Sequence, residues 1–519
     1  MTIPTGQPSQ LAIPANAPRS KFTRYVRAVS PDHKQLFPIT PAARPLVVGV
    51  DLRTLGADTA DYSELVGILR RDVVTPMLLL RQDDDLQLGD RWLRACEIDD
   101  LHIIHYTDQQ SAQRMADALQ FTVSTTSGGQ RTAWRTCHLF DIYPELDAQN
   151  AGTAELDATD RLDAAVLAAA GYGLGIDVIV SLAPTVGRAD VADNDIVATV
   201  TPDDLRPVFG HYLRMTGNRK VAEHRSGNLT STMQPPSLTE VYNIGVAALV
   251  PFLDCLRLVA TMLSNTEAVA EIESLFARLR RAARALDEVF AALARTNGRD
   301  AQPTTDTLEF VSEAFDRELL YLVAVFDTYG RTYIRWLDPT STKQLRKSLH
   351  SEKTLTDYVD PNYPDPATAD ALKRIHELQR FAFTCSELRN RIHDALLPAG
   401  SFLNRGYGGA QAVAIDFTAA GVELTQQQVD RLGVWQTTAP NQLLAQPTHV
   451  GDVATVAVEL FIAATEYVDL FSKTILTTKP AKASNAEDLL GKIIDDGTPQ
   501  LRPHPTEEYY RNLFGWKST

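Results

Sequence analysis

The sequence has few of the residues that mark a secreted, metal-bound or membrane-embedded protein. Four cysteines occur in 519 residues, at Cys96, Cys137, Cys255 and Cys385, with no CxxC pair and no histidine at zinc spacing. That scatter argues against a disulfide framework or a zinc finger and predicts reduced, buried thiols. The segment MTIPTGQPSQLAIPANAPRSK has no apolar h-region, so no signal peptide is expected there. The longest apolar run, IGVAALVPFLDCLRLVATML, contains Pro251, Asp254 and Arg257. It fits a buried helix better than a membrane span. A soluble, cytoplasmic chain with no membrane contact is expected. Basic residues are outnumbered, 50 Lys+Arg against 65 Asp+Glu, for a formal net charge of −15. A broad nucleic-acid-binding coat needs the opposite sign. A small cleft in which a few arginines hold phosphates does not. The chain also lacks a P-loop, an HExxH helix and a Ser-His-Asp order.

What is present is a globular composition, 44% hydrophobic and 22% charged, too long for one growing core. Residues 1–44, punctuated by Pro4, Pro8, Pro14, Pro18, Pro31, Pro38 and Pro41, read as a flexible arm. Over residues 45–225, runs such as LVVGVDL, TPMLLL, LHIIHY and IDVIVSLA alternate with helical patterns of about ten residues. That alternation predicts an α/β domain with a mostly parallel sheet, suited to sensing or ligand binding. Residues 226–236 end in a Pro pair and read as a linker. Residues 237–477 read as an all-α helical bundle, opened by the capping box Ser237-Leu-Thr-Glu240 on a helix running to about Ser264. Residues 478–519 form a tail.

The helix beginning at Asp365-Pro366 is the most informative. Leu372, Ile375, Leu378, Ala382, Cys385, Leu388, Ile392 and Leu396 form one apolar stripe. With Leu388 at zero, Arg389 falls near 100°, His393 near 140° and Asn390 near 200° at about 100° per residue. The three polar groups share the margin of the buried face. Such a set suits metal-free RNA cleavage: His393 moves protons, Arg389 clamps the phosphate and Asn390 orients. The alternative is a polar helix edge, salt-bridged to Asp394 or Glu387.

LRNRIHDALLP, residues 388–398, in a helical setting resembles the HEPN superfamily, whose motif is an arginine followed, after four to six residues, by a histidine. Here three residues intervene, which keeps both side chains on one face. The resemblance implies a dimeric, metal-independent ribonuclease without a cofactor, from a defence or growth-arrest system. It implies RNA as substrate and a regulatory protein or phage trigger as a further partner. Arg380, Arg391 and Arg405 are then expected to supply positive charge around Arg389, Asn390 and His393. A non-enzymatic scaffold that binds RNA, a nucleotide or a protein is the rival expectation.

Three further groups stand out. His376 and Arg380 make a second i,i+4 pair. Asp51 ends the first strand and, with Asp83, Asp84, Asp85, Asp99, Asp100 and Asp141, offers carboxylates that can hold Mg²⁺ or simply cap helices. Arg206, His211 and Arg214 mark an interface or sensor segment before the linker.

Overall fold

Continuous apolar runs become the strands of a seven-stranded mixed sheet, ordered β5-β4-β3-β2-β1-β6-β7. The strands are β1 (Leu46–Asp51), β2 (Val74–Arg81), β3 (Leu101–Tyr106), β4 (Leu119–Thr125), β5 (Gln130–Arg135), β6 (Val178–Val180) and β7 (Ala198–Val200). Pairings from β3 through β7 across β1 are parallel, and β4 and β5 extend the sheet as an antiparallel hairpin. The computed structural model describes residues 45–106, 119–135, 158–186, 197–216, 224–226, 229–231, 237–296, 305–337, 347–394, 399–403, 411–437, 448–478 and 481. The expected arm, residues 1–44, lies outside them.

The two faces of the sheet are covered by different helices. Helices α1 (Leu52–Leu55), α2 (Ser63–Leu69), α3 (Gln87–Cys96) and α5 (Leu205–Thr216) bury Leu65, Trp92 and Phe209 against Val48, Val50, Leu78 and Val180. Helix α4 (Ala158–Leu174) covers the opposite face, placing Val166 and Ala170 with Leu79, Ile104 and Ile179. Parallel strands buried on both faces must be apolar throughout, which is why these runs do not alternate. Strand order reverses between β1 and β6, and the covering helices change face there. This is a topological switch point.

The second part is mostly helical. Ser237 accepts the amide of Glu240 at 3.1 Å, the serine half of the expected capping box, and starts α6 (Leu238–Leu249). The single helix expected to reach Ser264 instead breaks: α7 (Pro251–Met262) leaves at 105°. Pro251 has no N–H to return to the previous turn, and Val250 before it leaves the helical region at φ −129°, ψ 60°. Helices α8 (Thr266–Thr296) and α9 (Thr305–Leu337) pair along their length. Asp365 caps the next start by accepting the amide of Ala367 at 2.9 Å, and α10 (Ala369–Asp394) follows.

The expectation of a wholly helical second part gives way at residue 399. Strands β8 (Ala399–Leu403), β9 (Gln411–Asp416), β10 (Trp435–Thr437) and β11 (Thr448–Asp452) form a four-stranded antiparallel sheet, with α11 (Gln426–Leu432) between the second and third in sequence. After Pro398 the chain is glycine-rich and its apolar runs are too short for a 3.6-residue repeat. Helix α12 (Val453–Thr477) closes the core with Phe461, Tyr467 and Phe471. Cys96, Cys255 and Cys385 are buried and unpaired; Cys137 lies outside the described residues. Among the described residues no single helix is long and apolar enough to cross a membrane, and α6 with α7 reaches that composition only as a bent pair.

Candidate functional site

Helix α10 sends Ile375, Leu378, Ala382, Cys385 and Leu388 into the core. Arg389, one position further round, is left at the margin of that face. Its guanidinium lies 4.0 Å from Asp327 on α9, so its partner sits across a helix interface rather than on its own helix. Asp327 also faces Nε2 of His350 at 3.3 Å and the guanidinium of Arg331, one turn along α9, at 3.9 Å. Burial raises the Asp327 pKa, but hydrogen bonds from His350 and Ser348 and nearby positive charge outweigh that, holding it below the usual carboxylate range. Asp327 is therefore ionised at neutral pH.

His350 is held by its backbone. Leu349, fully buried, donates its N–H to the Phe326 carbonyl at 3.1 Å and accepts the Tyr467 hydroxyl at 2.9 Å. Gln379 Nε2 donates to the His350 carbonyl at 2.5 Å. The segment lies so close to α9 that a Cβ on Gly330 would sit 2.8 Å from the Cα of Ser348. Glycine permits that approach because it has no side chain. Nδ1 of His350 is buried and has no hydrogen-bond partner.

Arginines crowd this place. Arg278 on α8 is pushed below its ordinary pKa by burial, then by repulsion from Arg281 and Arg331. Arg281 lies over the Tyr321 ring, 5.8 Å from its centroid. Among the described residues, Asp327 is the carboxylate ion-paired with Arg331 and Arg389, and neither Arg278 nor Arg281 has an ion pair. In a chain with an excess of 15 negative charges, that is a local inversion of sign.

The other expected site residues have other surroundings. Asn390 and Arg391 are exposed, and the Arg391 guanidinium reaches to within 2.6 Å of where a Cβ on Gly421 would stand. Arg380 is exposed, and its carbonyl accepts from Gln428 Nε2 at 3.0 Å. His376 pairs with Asp360 at 3.0 Å. The side chain of His393 and the whole of Arg405 lie outside the described residues. Of the residues gathered here, Arg389 was expected from the sequence, while Asp327, His350, Arg331 and Arg278 carry no motif. Asp327 and Arg331 at i,i+4 beside Gly330 were the available signal.

The strand ends at the switch point hold a second polar cluster. Arg81, the last residue of β2, is buried and forks onto Asp163 of α4 at 2.6 and 2.8 Å while its third nitrogen meets Asp51 at 2.6 Å. Burial lowers the Arg81 pKa, but the charges of Asp51 and Asp163 outweigh it and raise the net value. Ser181, just beyond β6, donates to the other oxygen of Asp51 at 2.8 Å. Arg53 continues the alternation outward to Asp84 at 2.7 Å. The Mg²⁺ expectation at Asp51 meets the Arg81 guanidinium, which lies between Asp51 and Asp163, a carboxylate outside the expected set. Among the described residues no three His, Cys, Asp or Glu side chains gather to hold a metal.

No family model matches the chain, and neither a curated protein nor a solved structure matches it. None of these comparisons bears on the HEPN resemblance, which is carried by residues 388–398 and, more loosely, by the helical region from about 237 to 477.

Proposed function

We propose that the helical part binds RNA through the arginine cluster on α8, α9 and α10 and cleaves it without a metal ion, under the control of the α/β part. The observation that carries this reading is the crowding of Arg278, Arg281, Arg331 and Arg389 around Asp327, the carboxylate ion-paired with Arg331 and Arg389 among the described residues. Like charges held together that way repel, and a polyanion relieves the repulsion. Forked guanidiniums suit phosphodiester oxygens. Arg389 then stabilises charge developing on the phosphorane, and His393 on the same helix transfers the proton. The reading includes a HEPN-like arrangement of the helices, a second copy completing the cleft, and growth arrest or defence as the setting.

A second reading, binding without cleavage, is favoured by His350, whose Nε2 faces Asp327 and whose Nδ1 is buried. That imidazole presents no open nitrogen to a substrate. Incubating the full chain with labelled single-stranded RNA separates the two. Cleavage that is lost in Arg389→Ala and His393→Ala, with both variants folded, supports the ribonuclease. Retained binding with no product from the unsubstituted chain supports the scaffold. Absence of both binding and product overturns both.

A further inference from the structure

The junction between the two parts is built on one buried carboxylate. Asp287 of α8 is fully enclosed and accepts from four donors. Arg214 of α5 forks onto it at 2.6 and 2.9 Å, His211 of α5 approaches at 3.1 Å, and the Tyr242 hydroxyl of α6 donates at 2.5 Å. His211 also stands edge-on to Phe290 of α8, with centroids 5.9 Å apart. Helix α5 belongs to the α/β core and α8 to the helical core. Helix α6 belongs to both, because Val241 packs with the sheet and its neighbour Tyr242 packs with the helices.

Two properties make this more than ordinary packing. The groups are charged and dry, so their attraction is directional and collapses when one donor shifts. Asp287 also shares α8 with Arg278 and Arg281, about two turns away at 1.5 Å per residue. A displacement of α5 against the sheet therefore pulls on the helix that carries half of the arginine cluster.

We propose that Asp287 is a latch joining the two parts into one cooperative unit, through which the state of the α/β part is passed to the arginine cluster. The second half rests on the reading of that cluster as an RNA site. The first half does not.

Scanning calorimetry on the full chain, with and without a single-stranded RNA oligonucleotide, tests it. The unsubstituted chain is expected to melt in one transition that RNA shifts upward as a whole. Asp287→Asn strands the Arg214 charge, so the double variant Arg214→Met/Asp287→Leu, which keeps volume and removes both charges, is measured beside it. Both are expected to melt in two transitions, with RNA shifting only one. Two transitions in the unsubstituted chain, or one in the double variant with an undivided RNA shift, would overturn the latch. If RNA shifts nothing in any chain, the RNA reading and the proposed signal fall together, and the number of transitions still decides whether Asp287 joins the parts.

Discussion

Leu349 donates its backbone N–H to the carbonyl of Phe326, one turn before Gly330 on the same helix, at 3.1 Å. That bond seats the His350 segment on α9 and fixes which residue position 330 can accept. In an exposed helix, Gly→Ala gains about 1 kcal/mol from propensity. Here the new methyl would meet backbone atoms of Ser348 and Leu349 at 2.8–2.9 Å, in a segment too well tied to yield. Overpacking costs about 1–3 kcal/mol and wins. Gly330→Ala is expected to lower the urea midpoint and to shift the His350 imidazole resonances. An unchanged midpoint would show that the segment is looser than its hydrogen bonds imply.

Glu318 gives a pH dependence. Both its carboxyl oxygens are buried without a hydrogen-bond partner, and burial pushes its pKa well above the usual carboxylate range. The folded chain thus keeps a proton that the unfolded chain releases above about pH 4.3. Stability must fall as pH rises from there towards the folded pKa, by up to about 1.4 kcal/mol per pH unit. Glu318→Gln removes that loss. Its melting temperature is expected to exceed that of the unsubstituted chain at pH 8 and to converge with it near pH 4–5. A gap of equal size at both pH values would point instead to packing.

At the switch point, Arg81→Met should cost about 3–5 kcal/mol, because it leaves the fully buried Asp51 without its counter-charge. Arg53→Ala, at the wetter end of the same array, should cost about 1 kcal/mol or less. Denaturant titrations of the two variants compare them directly. Equal losses would mean that the array is solvated throughout.

If the arginine cluster binds RNA as proposed, it sets how salt affects the affinity. Each phosphate neutralised on a single strand contributes about 0.7 to the slope of log affinity against log salt. Arg331→Ala and Arg278→Ala should each lower that slope by about 0.7 if each holds one phosphate. A slope unchanged in both would remove these residues from the RNA path.

Much of the α/β part was legible because its signals are local. LHIIHY is β3 residue for residue, and LVVGVDL and TPMLLL fall on β1 and β2. Ser237 and Asp365 cap where their side chains say they should. What the sequence concealed was pairing at a distance. Arg389 finds Asp327 62 positions earlier, since 389 minus 327 is 62, and no helical wheel ranks one carboxylate on α9 above another. Arg81 meeting Asp51 hides in the same way: the DDD run is a visible pattern, while the guanidinium that neutralises the strand-end acid belongs to none. The short strands after Pro398 lacked enough alternation to compete with the helices around them.

The sharing of α6 between the two cores bears on the order in which the chain can fold. Val241 fills a place among the sheet's side chains, yet it lies beyond the segment that composition marks as a linker. A fragment ending at residue 236 would carry an open socket in that core. During synthesis, the α/β part must wait for α6 to emerge from the ribosome before its interior is complete. Its maturation is then tied to the first turn of the helical part and cannot finish ahead of it.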